Sequence, residues 1–277
     1  MNKIQPIIII GAPRSGTNML RDTLVEFSKV CTWPFDEINF LWKKGHKINA
    51  NDELSSDQLS INKILYIEKE FKKVSRKNKS NIVIEKTCAN SLRVPYVNKV
   101  LPNAKFIFIY RNPIDTIVSI ENKWKKGRNT RNLIKQIPWF NFLYLLKFIS
   151  YNLFLKLFYV RGQYLAWGPK IKNIEEIIKK NNSYSVAALQ WKKCFQVAKK
   201  DLEALDKNRV FNLRYEDFVN NPSEWLIKIL NFIDVSYEDK LIISAVANIN
   251  KKNIGKGKKN LTAEQLIEIN KVLSSNL

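Results

Sequence analysis

The stretch that most constrains this chain is residues 6–24, PIIIIGAPRSGTNMLRDTL. Ile7 to Ile10 form an unbroken apolar run, as expected of a strand buried on both faces. The chain then turns through Gly11-Ala12-Pro13-Arg14-Ser15-Gly16, and the residues beyond have helical spacing, with Leu20 and Leu24 on one side. A strand, a glycine-bounded loop and a helix start together make an anion cradle. The backbone N–H groups of Ser15, Gly16, Thr17 and Asn18 turn inward, and the helix N-terminus adds partial positive charge. A structural reading of the same residues is a turn between a core strand and its helix.

Gly11 and Gly16 have the spacing of a nucleotide-binding loop, G-x-x-x-x-G-K-[ST], but the next positions depart from it. Thr17 stands where that loop has its Lys, and Asn18 where it has the magnesium-binding hydroxyl. The cation lies inside the loop, as Arg14. This pattern points to a phosphorylated ligand held without metal. It also weakens the rival reading of a phosphoryl-transfer enzyme.

Further strands are expected at Ile82-Val83-Ile84, at Lys105 to Tyr110 and at Arg209 to Leu213, with helices between them. Alternation of this kind implies an α/β fold, a central parallel sheet flanked by helices in three layers. Ligands then bind beyond the carboxyl ends of the strands, where Arg14, Glu85 and Arg111 fall. Asn112-Pro113 and Asn221-Pro222 read as helix starts, and Thr262 with Gln265 as a capping box. Asp36 reads as a cap for the residues INFLW. Arg111 at a strand end, with Ser119 eight residues on, makes a second anion site, since Arg offers a fork of donors matched to phosphate.

The chain of 277 residues is long enough for one domain over its whole length, 1–277. Lys and Arg outnumber Asp and Glu by 47 to 25, a formal charge of +22. Such a balance favours acidic partners, although frequent lysine equally fits the base composition of the gene. The cysteines, Cys31, Cys88 and Cys194, lack metal-site spacing, and the lone His46 has no partner set for a metal or a nucleophilic triad. Their odd number, with no secretory leader, suggests reduced thiols in a cytoplasmic protein. Residues 124–183 break the α/β alternation and read as a helical, aromatic-rich insertion. Within it, IPWFNFLYLLKFISYNLFLKLFYV (137–160) is interrupted by Lys147 and Lys156, which argues against a membrane span. Helices covering the active site are expected there, with peripheral attachment to an anionic membrane surface as the alternative.

The motifs resemble, in order, those of the sulfotransferases that use 3′-phosphoadenosine 5′-phosphosulfate (PAPS). GAPRSGTNML resembles the loop around the donor's 5′-phosphosulfate, which implies that Arg14 contacts its sulfonyl-bearing end. KFIFIYRNPIDTIVSI resembles the 3′-phosphate motif, which implies that role for Arg111 and Ser119. IVIEKTCANS resembles the Glu-Lys strand end of the heparan-type branch, implying Glu85 as general base, with Lys86 beside it. Glu37 is the rival base, after the tyrosylprotein-type branch, and Asp36 a third. NLRYEDFVNNP resembles the segment whose Tyr lies by the adenine, here Tyr215. IGKGKKNLT resembles the C-terminal loop that clamps the donor. Lys256 matches, but Gly257 stands where the family has Trp.

The resemblance implies transfer of a sulfuryl group from PAPS, leaving 3′,5′-ADP, to a hydroxyl or amine of a saccharide, glycolipid or small metabolite. No metal and no nucleic acid are implied. A non-catalytic polyanion-binding protein of the same fold is the remaining alternative.

Overall fold

The computed structural model describes residues 4–47, 50–126 and 168–275. The isoleucine run lies in β1 (Gln5–Ile10), the middle strand of a five-stranded sheet ordered β2-β3-β1-β4-β5. Its neighbours are β3 (Ile82–Lys86) and β4 (Lys105–Tyr110), both parallel to it. β5 (Val210–Arg214) pairs with β4, and β2 (Val30–Cys31) with β3, again in parallel. β2 was not expected from the sequence. Two residues are too few to show an apolar period.

Because side chains alternate across a strand, the sheet has two apolar faces. Ile7, Ile9, Ile84, Ile107 and Ile109 meet α1 (Thr17–Leu24) through Leu20 and Leu24. They also meet α8 (Tyr215–Asn220) and α9 (Pro222–Phe232) through Phe218, Leu226 and Ile229. Ile8, Ile10, Val83, Phe106 and Phe108 meet α3 (Ile61–Asn78) and α4 (Val94–Val100) on the other side. The three expected layers follow.

A third cluster joins α5 (Pro113–Lys126), α7 (Ser183–Glu203) and α12 (Ala263–Ser274), around Ile117, Ile120, Ala187, Cys194 and Ile269. The capping box at Thr262 and Gln265 is present. Asn112 caps α5 by accepting from Asp115 N at 3.2 Å, whereas Asn221 makes no side-chain cap to α9. The helix expected over INFLW is α2 (Asn39–Trp42), and shorter helices not expected from the sequence are α6 (Ile174–Lys180), α10 (Asp239–Val246) and α11 (Lys256–Lys259). Ile38, not Asp36, stands at the N-cap of α2.

The chain leaves β1 toward one edge of the sheet and leaves β4 toward the other. A crevice is thus expected beyond the carboxyl ends of these two adjacent strands. The aromatic run 137–160 lies outside the described residues. The chain re-enters them at Gly168, where a Cβ would stand 3.2 Å from Pro13 of the glycine loop. Among the described residues, no helix is long and apolar enough to cross a membrane.

Candidate active site

The loop after β1 is tightly packed and left-handed in two places. Gly11 presses against β4, where a Cβ would lie 2.5 Å from the carbonyl oxygen of Ile109. Arg14 and Gly16 both have positive φ, 68° and 95°. For Arg14 this left-handed backbone costs about 1–2 kcal/mol, a strain of the kind kept at binding loops. Gly16 starts α1 without a side-chain cap, and the first turn carries no acidic residue. The first N–H groups therefore face the loop with no competing carboxylate. The Ser15 hydroxyl is fully buried and makes no hydrogen bond.

Arg111 and Ser119, expected to form the second anion site, close on this loop. Arg111 follows β4, donates to the Arg14 carbonyl at 3.3 Å and to the Asn253 carbonyl, and lies 3.7 Å from Asp115. Its Nε is buried and unpartnered. Its guanidinium sits 4.6 Å over the Tyr215 ring, and Tyr215 packs so closely on Gly16 that a Cβ there would meet the ring at 2.6 Å. Arg14 Nε donates to Ser119 Oγ at 3.1 Å. Arg14, Ser15, Gly16, Arg111, Ser119 and Tyr215 thus form one constellation, although they span most of the chain.

The C-terminal loop joins it through Asp115, a residue the sequence reading passed over. Both carboxylate oxygens of Asp115 accept loop N–H groups, Gly255 N at 2.7 Å and Gly257 N at 2.6 Å. The approach leaves no room for a side chain at Gly257. A Cβ at Gly257 would lie 2.7 Å from Asp115 Cα and 2.8 Å from the Ile114 carbonyl oxygen. Lys256 is exposed on α11.

The acidic candidates separate. Glu85 and Lys86 lie within β3, not beyond its end, and so turn to opposite faces. Lys86 Nζ reaches Asp36 Oδ1 at 2.8 Å and Glu37 Oε1 at 3.1 Å. Burial alone would lower the Lys86 pKa, but Glu37 and Asp36 outweigh it and hold the ammonium above its ordinary value. Burial would raise Asp36, yet Lys86 and Arg21 keep its carboxyl below the ordinary range. Glu37 also accepts from Cys88 N at 3.3 Å, and Cys88 Sγ lies 3.9 Å from the Thr17 hydroxyl at the start of α1. This cluster therefore borders the phosphate loop.

Glu85 faces the other way and is 1% exposed. Its Oε2 accepts from Asn90 at 2.7 Å, and Asn90 accepts from Arg93 at 2.8 Å. Burial pushes the Glu85 carboxyl up to about 7, opposed only in part by the Arg93 charge. The sequence reading also missed Arg21. Its signal was present: Arg21 is one helical turn after Thr17, and so on the same face of α1. Among the described residues, no cluster of His, Cys, Asp and Glu could hold a metal ion.

A five-stranded parallel sheet flanked by helices, with this loop at the end of its central strand, defines an α/β protein of the phosphate-loop type. The model of the sulfotransferase family matches residues 6–137 and 172–239. The chain belongs to that family.

Among similar solved structures is the sulfotransferase domain from the curacin biosynthetic pathway, 15% identical and covering 100% of both chains, with a TM-score of 0.53. Sulfotransferase STF9 from Mycobacterium avium is 12% identical over 97% of this chain and 76% of its own, with a TM-score of 0.56. Mouse sulfotransferase SULT7A1, solved in complex with PAP, is 16% identical over 97% of this chain and 82% of its own, with a TM-score of 0.50. At these identities the likeness is one of fold. The comparison with curated proteins finds no match.

Proposed function

We propose that this sulfotransferase takes PAPS as donor and transfers its sulfuryl group to a hydroxyl or amine of a saccharide, glycolipid or small metabolite. The observation that carries the donor assignment is a pair of buried, unpartnered donors, Ser15 Oγ and Arg111 Nε, on the two anion sites. A buried donor without a partner costs about 1–3 kcal/mol, which an anion accepting from it would recover. The PAP complex of the mouse protein supports the same class of donor.

In this reading the loop N–H groups and Ser15 hold the 5′-phosphosulfate, and Arg111 with Ser119 holds the 3′-phosphate. Tyr215 packs beside the adenine, and Lys256 lies on the loop that closes over the donor. Arg14 and Lys86 stabilise the negative charge that grows on the sulfuryl and bridging oxygens, where fixed cations are most effective. PAPS supplies a sulfuryl group bound to a phosphate leaving group.

Glu37 is the base that the geometry favours. It is partly exposed, whereas Glu85 is closed off by Asn90 and its neighbours. A base must come within hydrogen-bond reach of the proton it takes. The acceptor oxygen forms the new S–O bond and gives its proton to Glu37. The old S–O bond breaks with its electron pair on the phosphate oxygen, leaving 3′,5′-ADP.

Calorimetric titration with 3′,5′-ADP and with ATP–magnesium, followed by labelled-sulfate transfer from PAPS to a panel of saccharides, glycolipids and small alcohols, tests this reading. Preferential binding of 3′,5′-ADP and transfer of label are expected. Tighter binding of ATP–magnesium would return the phosphoryl-transfer reading. Binding without any transfer would favour a non-catalytic protein.

A further inference from the structure

A group of cations is fastened to the segment that follows Glu37, and the acids beside it do not balance them. The carboxylate at its centre is Asp52, 1% exposed. Asp52 Oδ1 lies 3.4 Å from Lys43 Nζ and 3.8 Å from Arg93 Nη1. The same carboxylate also accepts from Asn39 Nδ2 at 3.1 Å and from Lys170 N at 2.7 Å. One buried carboxylate thus serves two cations, and Arg93 Nη1 is left buried without a hydrogen bond.

Three more basic side chains gather here. Lys63, in the first turn of α3, donates to the Lys44 carbonyl and lies 5.6 Å from the centre of the Tyr96 ring. Burial first, and then the charges of Arg93 and Lys44, push its ammonium down to about 8. Lys44 sits 3.1 Å over the Tyr66 ring. The acid that acts on Lys44 is Glu70, which is itself 3.9 Å from Lys73. His46, the one histidine of the chain, is held below its ordinary pKa by burial and by Lys63, Lys43 and Arg93. Its N–H closes the turn onto the Lys43 carbonyl at 2.9 Å.

The placement suits an acceptor. Arg93 follows the carboxyl end of β3, and it donates to Asn39 Oδ1 at 2.6 Å, two residues from Glu37. Crowded cations in half-buried surroundings repel one another, and an anion among them removes that cost. Lys86 shows the contrast: its buried ammonium has two carboxylates, Asp36 and Glu37, within 3.1 Å.

We propose that Lys44, Lys63 and His46 form a subsite for an anionic group of the acceptor, so that the hydroxyl or amine sulfated belongs to an acid carrying a carboxylate or phosphate. This rests on the reading of the chain as a PAPS-dependent sulfotransferase and narrows its acceptor. The two lysines supply the charge, and the imidazolium of His46 adds to it once the anion is bound.

The test uses the untagged full chain, in which a single histidine gives a single ring signal by NMR. The ring of His46 is titrated alone and with glucuronate, glucose 6-phosphate, neutral glucose or inorganic phosphate, at matched ionic strength. In the wild type it should titrate below 6.5. Either sugar acid should raise it by at least about half a unit, because a bound anion favours the charged ring, and glucose should leave it unchanged. Lys63→Met should raise the pKa in the free protein and weaken the response to both acids at least fivefold in affinity. Lys63→Arg should restore the response. Lys69→Met, on the exposed side of α3, should behave as the wild type.

No shift with either sugar acid, or equal losses in Lys63→Met and Lys69→Met, would overturn the proposal. A response to inorganic phosphate without one to the sugar acids would make this a site for a free anion and overturn the acceptor assignment. Should Lys63→Met fail to fold by its melting curve, Lys44→Met decides by the same criteria. In labelled-sulfate transfer, acidic acceptors should exceed their neutral counterparts at least tenfold in kcat/KM, and Lys63→Met should lose this advantage through KM. Label passing only to neutral acceptors would overturn the proposal. The expected His46 response without transfer to any acceptor would refute the functional reading and leave the anion subsite standing.

Discussion

Glu85 and Lys86 are neighbours in β3 that serve opposite faces of the sheet. Glu85 accepts from Asn90 at 2.7 Å inside the core layer of α4, while Lys86 holds Asp36 at 2.8 Å beside α1. Of the Glu-Lys pair singled out by resemblance, only the lysine faces the cluster that borders the phosphate loop.

The assignment of the base follows from that division. Glu37→Gln keeps the shape and removes the proton acceptor, and should lower kcat by roughly 10²–10⁴ with donor binding little changed. Glu85→Gln should lower kcat less than about tenfold on the same scale. Steady-state kinetics of both variants decide between them. The reverse order of losses would restore Glu85 as base.

Glu85 also carries a pH signature. Its carboxyl is raised from 4.5 to about 7 in the folded chain, so the native state favours the protonated form. The resulting stability is fully present below about pH 4.5 and is lost as pH rises through about 7. From this group alone, stability should fall by up to about 3 kcal/mol across that window. Glu85→Gln, which can still accept from Asn90, should flatten this part of the profile. Urea unfolding at several pH values gives the comparison, and an identical slope in the variant would remove Glu85 as its source.

Arg111 ties the phosphate loop to the C-terminal segment through the Arg14 and Asn253 carbonyls. Arg111→Ala should weaken 3′,5′-ADP binding by about 2–4 kcal/mol, because a charge-assisted contact to a desolvated phosphate is lost. The same variant should discriminate little between 3′,5′-ADP and 5′-AMP. Retained preference for 3′,5′-ADP, measured by calorimetry, would place the 3′-phosphate elsewhere.

Gly257 offers a test of the closing loop. Its missing side chain allows two N–H groups to reach Asp115. Gly257→Ala puts a methyl where only 2.7 Å is free, and should displace the loop at a cost of about 1–3 kcal/mol. Weaker 3′,5′-ADP binding with a faster off-rate is the expected result in stopped-flow measurements. Unchanged donor kinetics would separate this loop from the donor site.

Chelation by EDTA should leave turnover unchanged. The expectation comes from the loop, where Asn18 replaces the hydroxyl that holds magnesium in nucleotide-binding loops. Loss of activity reversed by magnesium would contradict it.

Much of this arrangement could be read along the chain because it depends on short-range patterns. The apolar runs Ile7–Ile10 and Phe106–Ile109 announce buried strands. The glycines flanking Arg14 announce a loop, and Asn112-Pro113 a helix start. Each rests on spacing over a few residues, which the covalent geometry of strands and helices dictates. Tertiary structure alone decided which acid meets which cation. Asp36 is 15 residues from Arg21 and 50 from Lys86, and nothing local ties them together. The facing of Glu85 turned on whether β3 ended at Ile84 or ran on to Lys86, which pairing with Ile8 and Ile9 of β1 determines. Gly257 likewise looked like a departure until its backbone met Asp115. Elements follow from local periodicity, whereas pairings follow from how the packed layers bring distant side chains together and exclude water around them.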